Sequence, residues 1–285
     1  MIDTINRIRE LYEQRRTYIE QRKRLTNCLM AKARSQLAKT ERIVGNVDRE
    51  AWRKAGEDLF KEARASNLER SAAVQLRLKY DLLFDQLEQL DAKIADLELG
   101  QKDPNTNKRR GGLRDAVGAL PVIDWALSIP GINTTSLAAI IGESGTLSYI
   151  DDKHPGYANV AKLWKRLCLG MVQLENGKWE RQQKRKDVDA ARAHGYNPER
   201  RSAMYMISTN LIRKGCPYRE IYLKRRERTL ITHPEWATPK SPSAHYYADA
   251  LRITVKRFIA DLWEEWNGVE TSQRVVKSLK KLAAE

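Results

Sequence analysis

The stretch LRLKYDLLFDQLEQLDAKIADL, residues 76–97, places Leu76, Tyr80, Leu83, Leu87, Leu90, Ile94 and Leu97 at alternating steps of four and three. A repeat of about 3.5 residues keeps apolar side chains on one side of a helix, whereas a half-buried strand needs a period of about two. The segment therefore reads as a helix with a heptad seam. Upstream, Ile2, Ile5, Ile8, Tyr12, Ile19, Leu25 and Leu29 roughly line one face of a first arm, and no proline occurs from Met1 to Gly100. Gly45, Asn46 and Gly56 flank a shorter helical piece with Trp52, Leu59 and Phe60, which would turn the chain so that the arms pair antiparallel. Residues 1–100 are expected to form a long antiparallel helical coiled-coil hairpin.

Downstream of the seam, residues 101–112 (QKDPNTNKRRGG) are rich in turn formers and lack an apolar period, so they read as a linker or flexible loop. Lys108, Arg109 and Arg110 could touch a phosphate there, although solvated charge is the commoner reading of three basic residues in a loop. From Leu113 onward, Pro-Gly and Asn-Pro signals separate short helical segments, up to a last long helix near Ala244 to Asn267. Alternating β patterns are scarce and no βαβ rhythm appears. The fold class is all-α, with a compact helical domain over 113–285.

Bulk properties narrow the function. A chain of 285 residues with 41% hydrophobic and 31% charged residues can bury a core without metals or disulfides. Cys28, Cys168 and Cys216 are odd in number and far apart, which supports neither a disulfide framework nor a zinc cluster and fits a reducing, cytoplasmic setting. The N-terminus has no apolar signal core, and the most apolar stretch, around Ala116 to Ile132, is broken by Pro121, Asp124 and Pro130. Secretion and membrane spanning are not expected.

The net charge is +15, and its location says more than its size. Residues 157–228 hold 18 Lys and Arg against 7 Asp and Glu, so about +11 of the excess falls in one quarter of the chain. A local field of that kind points to a polyanion, whereas solubility alone is served by evenly spread charge.

Several motifs could carry that interaction. Ile129-Pro-Gly-Ile132, followed by Asn133, Thr134 and Thr135, looks like a tight turn capped by hydroxyl residues ahead of an apolar helix, Leu137 to Ile141. Such a helix start can hold a phosphate, though Pro-Gly turns before helices are also common as plain structure. Past Ser144, Gly145 and Thr146 comes a helix with Lys162, Lys165 and Arg166 on one face, beside Trp164. That pairing suits unpaired or kinked RNA, where bases stack and phosphates need neutralising; the bland alternative puts Trp164 in the core. Lys178, Arg181, Gln182, Gln183, Lys184, Arg185 and Lys186, then Arg192, His194, Arg200 and Arg201, form a basic, Gln-rich stretch. Its cations would position a backbone, while Gln182 and Gln183 could read base edges or a ribose hydroxyl. A second run, Lys224, Arg225, Arg226 and Arg228, follows.

Catalytic patterns are weak. Asp151-Asp152 is isolated, and His154, His194, His233 and His245 show no ligand spacing, so no metal or cofactor is expected. Ser202 and Ser208 lie in a cation-rich helix, where packing is the commoner role of a serine.

Ser136 to Leu169, above all Ile140-Ile-Gly-Glu-Ser-Gly-Thr-Leu147 and the Lys162/Lys165/Arg166 helix, resembles the Nop domain of box C/D ribonucleoproteins. There a coiled-coil hairpin precedes a helical domain that grips a kinked guide RNA. Ser128-Ile-Pro-Gly-Ile132, Gly215 to Tyr222 and the final Ala250 to Trp266 helix look like the C-terminal domain of insertion-sequence transposases that use a bridge RNA. Both likenesses meet in the Tas proteins of tandem interspaced guide RNA systems, in a form without an attached nuclease. The Gly-Ala-Glu-Lys tetrad of typical Nop domains has no clean counterpart, the nearest stretch being Leu163-Trp-Lys-Arg166. No Ser-Gly follows Gly170, where the transposases' nucleophilic serine would fall, and their acidic RuvC-like domain is not seen ahead of the hairpin. The resemblance implies a bacterial or phage-encoded homodimer that binds guide RNA, with target DNA chosen by RNA pairing. A divergent transposase or recombinase, or a coiled-coil assembly protein with an incidental basic surface, are the alternatives.

Overall fold

Thirty-nine residues without a proline or a glycine, Ile2–Thr40, form the first helix, α1, with Asp3 in its first turn and Lys39 in its last, each favourable to the helix dipole. The computed structural model describes residues 1–40, 49–65, 71–103, 106–148, 156–174, 176–183, 194–213, 215–237 and 244–268. Among these, eleven α-helices and two short strand pairs make an all-α protein. None of the described helices is long and apolar enough to cross a membrane. Gly45 and Asn46, expected to turn the chain between the arms, lie outside the described residues.

The chain divides into two compact units, an insert of Glu13–Gly112 and a main unit of Met1–Tyr12 with Leu113–Glu285. The boundary expected near residue 100 is thus drawn differently: the opening turns of α1 belong with the C-terminal half.

The insert contains the rest of α1, then α2 (Arg49–Arg64), α3 (Ser71–Lys79) and α4 (Asp81–Leu99). Leu29, Leu37, Leu59, Phe60, Leu76, Phe84 and Leu87 share one buried cluster. Arg15 pairs with Glu98 at 2.5 Å and Arg22 with Asp91 at 3.0 Å, while Gln36 bonds Gln75 at 2.9 Å, so partner numbers fall along α4 and α3 as they rise along α1. The heptad seam is not one continuous helix, because Tyr80, at φ −123° and ψ 27°, separates α3 from α4. Arg77 bridges that break, reaching Asp81, Asp85 and Glu88 at 3.1, 2.9 and 2.9 Å. Phe84, off the seam, is fully buried and stacks on Phe60 with centroids 5.9 Å apart.

The expected linker is in part ordered as an antiparallel pair, β1 (Gln101–Lys102) against β2 (Arg109–Arg110). The Asp103 amide closes it on the Lys108 carbonyl at 2.9 Å, and Arg109 pairs with Asp96 at 2.7 Å, which favours structural charge over phosphate contact for that residue.

The main unit is organised around its last helix, α11 (Ala244–Trp266), close to where the sequence placed it. Leu251, Val255, Phe258, Ile259 and Leu262 are buried along it. Packed on α11 are α9 (Pro198–Arg213) and α10 (Pro217–Thr232), the latter with a proline at its start, where a missing N–H costs nothing. Trp125 stacks on Phe258 at 6.1 Å and Tyr218 meets it edge-on at 5.6 Å. The earlier helices are α5 (Leu113–Gly118), α6 (Ile123–Ser128), α7 (Thr134–Ser144) and α8 (Val160–Arg166).

Between α6 and α7 the Pro-Gly turn is present, but its cap differs from the expected hydroxyls. The Asn133 amide oxygen accepts from the Ser136 backbone N–H at 2.8 Å and from the Ser136 hydroxyl at 3.0 Å. Gly131 sits at φ +98°, and a Cβ there would lie 2.5 Å from the Asn210 carbonyl oxygen, so the turn is seated tightly on α9. A Cβ on Gly142 would lie 2.3 Å from Cδ1 of Tyr12, which fixes the start of α1 against α7.

A second antiparallel pair, β3 (Met171–Gln173) with β4 (Trp179–Arg181), lies where a plain basic run was expected, with Met171 opposite Arg181. This pairing delivers Arg181 to the site described next.

Candidate nucleic-acid interface

Asp249, on α11, has a fully buried side chain and three arginine partners drawn from three elements. Arg225 of α10 donates through Nε to Oδ2 at 2.7 Å, Arg181 of β4 approaches Oδ1 at 2.8 Å, and Arg252 of α11 donates to Oδ1 at 3.2 Å. The Thr229 hydroxyl adds a bond at 3.3 Å. Burial alone would raise the Asp249 carboxyl, but Arg225, Arg181 and Arg252 outweigh it and hold it below the usual carboxylate range. Burial lowers Arg252, with repulsion from Arg181 adding to the effect, and burial also lowers Arg201. Guanidinium groups nonetheless stay protonated in proteins. One carboxylate therefore faces a surplus of positive charge.

That surplus lines a pocket of about 290 Å³, with Arg181, Arg201 and Arg252 on its wall beside Tyr196, Trp236 and His245. Trp236 belongs to a 3₁₀ turn, Pro234–Ala237, and stacks on His233 with centroids 4.3 Å apart; His245 lies 5.5 Å away on its own account. Arg201 donates to the Cys168 carbonyl at 3.4 Å.

The floor is braced by Gln182. Its Oε1 accepts from the Gly170 N–H at 3.0 Å, and its Nε2 donates to the carbonyls of His194 at 2.9 Å and Gly195 at 3.3 Å. Gln182 is buried and its amide is committed to backbone, so it shapes the site where the sequence suggested a reader of base edges.

A second pocket, of about 310 Å³, is lined by Ser144, Gly145, Thr146, Tyr157, Arg166 and Arg9 among others. The Ser144 hydroxyl donates to the Ile140 carbonyl at 2.6 Å, and Thr146 shares a 2.9 Å bond with Ser148. Tyr157 donates to the Ser144 carbonyl at 2.6 Å. Burial raises the Tyr157 phenol, while the nearby Arg166, Arg200 and Arg9 pull it down. Arg166 donates through Nε to the Glu143 carbonyl at 3.1 Å, and Arg200 pairs with the buried Glu143 carboxylate at 3.0 Å. The chemistry left open here is that of Arg9 and Arg166.

Other predicted residues fall outside both pockets. Lys162 and Lys165 are exposed on α8 and Lys178 just ahead of β4, and among the described residues none of the three forms an ion pair. Lys224 and Arg228 are exposed on α10, and Arg226 lies over the Tyr246 ring at 5.3 Å. Trp164 packs against α11: its Nε1 donates to the Lys256 carbonyl at 3.0 Å, with the Lys256 ammonium 3.9 Å from its ring. Burial, then repulsion from Arg252, lowers Lys256 to about 8. Ser208 is buried with its hydroxyl on the Tyr205 carbonyl at 2.7 Å, while Ser202 is exposed. Lys184, Arg185, Lys186, Arg192, Asp151, Asp152 and His154 lie outside the described residues. Among the described residues, no group of three His, Cys, Asp or Glu could hold a metal ion.

Sequence reading missed Asp249, Arg252, Trp236, Tyr196 and Arg9. An acid three residues before an arginine on the last helix was the available signal for the first two. None of the family models, curated proteins or solved structures compared with this chain matches it.

Proposed function

We propose that this chain is an RNA-binding protein, a scaffold for a guide RNA that selects its DNA target by base pairing while the protein reads shape and backbone. One observation carries the reading: exposed cations and a cluster of guanidiniums around a single acid gather on the main unit. On the main unit Lys162, Lys165, Lys178 and Arg228 make no ion pair among the described residues, and Arg181, Arg225 and Arg252 share one acid. Cations left without acids are what a ribose-phosphate chain neutralises.

The resemblance to the Tas, Nop-like proteins supports RNA as the partner and a homodimer as the assembly. Leu78 and Leu82, exposed at 74% and 70% on the insert, are a surface that a second copy would cover. Three free cysteines fit a reducing, cytoplasmic setting.

The test is RNA binding by anisotropy across a salt series, with Lys162→Glu/Lys165→Glu beside the wild type. Both residues are exposed, so folding is spared. The pair should lose roughly tenfold in affinity and show a shallower salt dependence, since each phosphate contact adds about 0.7 to the slope on single strands. Equal affinity and slope would remove α8 from the interface. Failure of the wild type to bind RNA in dilute buffer would end the reading.

A further inference from the structure

Four features coincide at the pocket beside Asp249. The first is excess charge. Among the described residues Asp249 is the one carboxylate at the hub, its two oxygens already accept from Arg225, Arg181, Arg252 and Thr229, and Arg201 adds a further guanidinium on the same wall. A partly buried cluster of this kind raises the local concentration of anions.

The second is an unmet donor. The Arg252 side chain is 10% exposed, and its Nε is buried without a hydrogen-bond partner among the described residues. Buried donors are nearly always satisfied, so this one marks a place where an acceptor belongs. Arg252 also lines the pocket, so the unmet donor belongs to a residue of its wall.

The third is a π surface. His233 stacks on Trp236 with the rings 11° from parallel, His245 lies tilted by 40° to Trp236, and Trp236 and His245 line the pocket. An inorganic anion has no use for such a wall, whereas a nucleobase gains from stacking on it.

The fourth is size. At about 290 Å³ the pocket falls at the low end of the roughly 300–1,000 Å³ range for small organic ligands, which suits one nucleotide and not a base pair.

We infer that this pocket receives one unpaired nucleotide of a single-stranded RNA, with its phosphate against Arg201 and Arg252 and its base against the Trp236 and His245 rings. The inference rests on the RNA-binding reading above and adds to it the state of the nucleotide that is held. It also implies tolerance of base identity. Gln182 is committed to backbone, and the Gln183 amide is engaged by Glu180, so the polar groups facing the ligand are chiefly cationic donors. Donors of that kind recognise phosphate, and a π face serves every base.

The experiment compares a fluorescent single-stranded decaribonucleotide with a blunt RNA duplex of the same length, each titrated with wild type, Trp236→Ala, Trp236→Phe and His245→Ala. His245 is exposed, so its removal keeps the fold even if Trp236→Ala melts early. Trp236→Ala should weaken the single strand about tenfold, the loss of one stacked base, with duplex affinity unchanged. His245→Ala should lose part of that, and Trp236→Phe should regain most of it. Unlabelled adenosine 5′-monophosphate and inorganic phosphate serve as competitors. Displacement by the nucleotide well below the phosphate concentration places a base in the site, and a free nucleotide that outcompetes the decamer per nucleotide identifies a mononucleotide site instead of a strand. Equal loss on strand and duplex, no loss on either, or equal competition by phosphate overturns the inference while leaving RNA binding intact. A wild type that binds neither RNA overturns both.

Discussion

Replacing Asp249 by asparagine removes the negative charge that Arg181, Arg225 and Arg252 share while keeping the side chain's shape. Hydrogen bonds to charged groups contribute roughly 1.5–3 kcal/mol each, but Arg181 is 45% and Arg225 30% exposed, and water screens those two contacts. Arg252, 10% exposed, is left buried without its counter-ion, and the new amide N–H₂ turns a donor toward donors. The loss should be about 3 kcal/mol, at the lower edge of the roughly 3–5 kcal/mol seen when one member of a buried pair is removed. At roughly 2–4 °C per kcal/mol for a chain somewhat smaller than this one, the melting temperature should fall by about 6–12 °C. The pH dependence provides a second reading. The folded carboxyl is held below its ordinary value near 3.9, so its stabilisation is complete above that pH and disappears as pH falls through the lower, folded value. Urea titrations of wild type and Asp249→Asn between pH 7 and pH 3 measure both effects, and the variant should lack this part of the acid-induced loss. A penalty below about 1 kcal/mol with an unchanged acid profile would show that the three arginines do not depend on Asp249.

Asn133→Ala should cost about 1 kcal/mol in urea denaturation, because two bonds to Ser136 go with the cap; Asn133→Ser should recover most of it. Gly142→Ala should lower the melting temperature, since the new methyl meets the Tyr12 ring, and pairing it with Tyr12→Leu should restore part of the loss. Lys256, after reductive ¹³C-methylation, should titrate near pH 8, well below the ordinary lysine value of about 10.4. Its folded value lies below the unfolded one, so stability should rise from about pH 8 toward 10 in the wild type, and the rise should be smaller in Lys256→Met. A Lys256 signal that titrates near 10 would refute that environment.

The helical class was readable because it rests on local period. The apolar spacing of residues 76–97 and the absence of proline before Gly100 leave little room for strands, and the turn signals from Leu113 onward divide the chain into short helices. The interruption at Tyr80 was not readable, because Leu83 fits the heptad as well as Phe84 does. Only the stack on Phe60, more than twenty positions away, shows which of the two goes inside. The same limit applies to the site. Arg166, Arg181 and Arg201 could be picked out from a charge run, but Trp236 and Asp249 could not, since their meaning comes from partners on β4, α9 and α10. Gln182 shows the converse: its place in a basic stretch suggested contact with RNA, and its burial shows a side chain that fastens Gly170 to His194 and Gly195.

The division of the chain has a consequence for its biosynthesis. Met1–Tyr12 leave the ribosome ahead of the insert, yet the unit they complete resumes only at Leu113. At roughly 5–20 residues per second, Ile5, Ile8 and Leu11, all buried in the finished protein, wait on the order of 5–20 s before the segments that cover them are made. Glu13–Gly112 can fold as a body of its own during that wait, and the main unit is then left with a long closure that slows its final step. Nascent chains halted just past residue 112 would display that greasy N-terminal face to holdase chaperones.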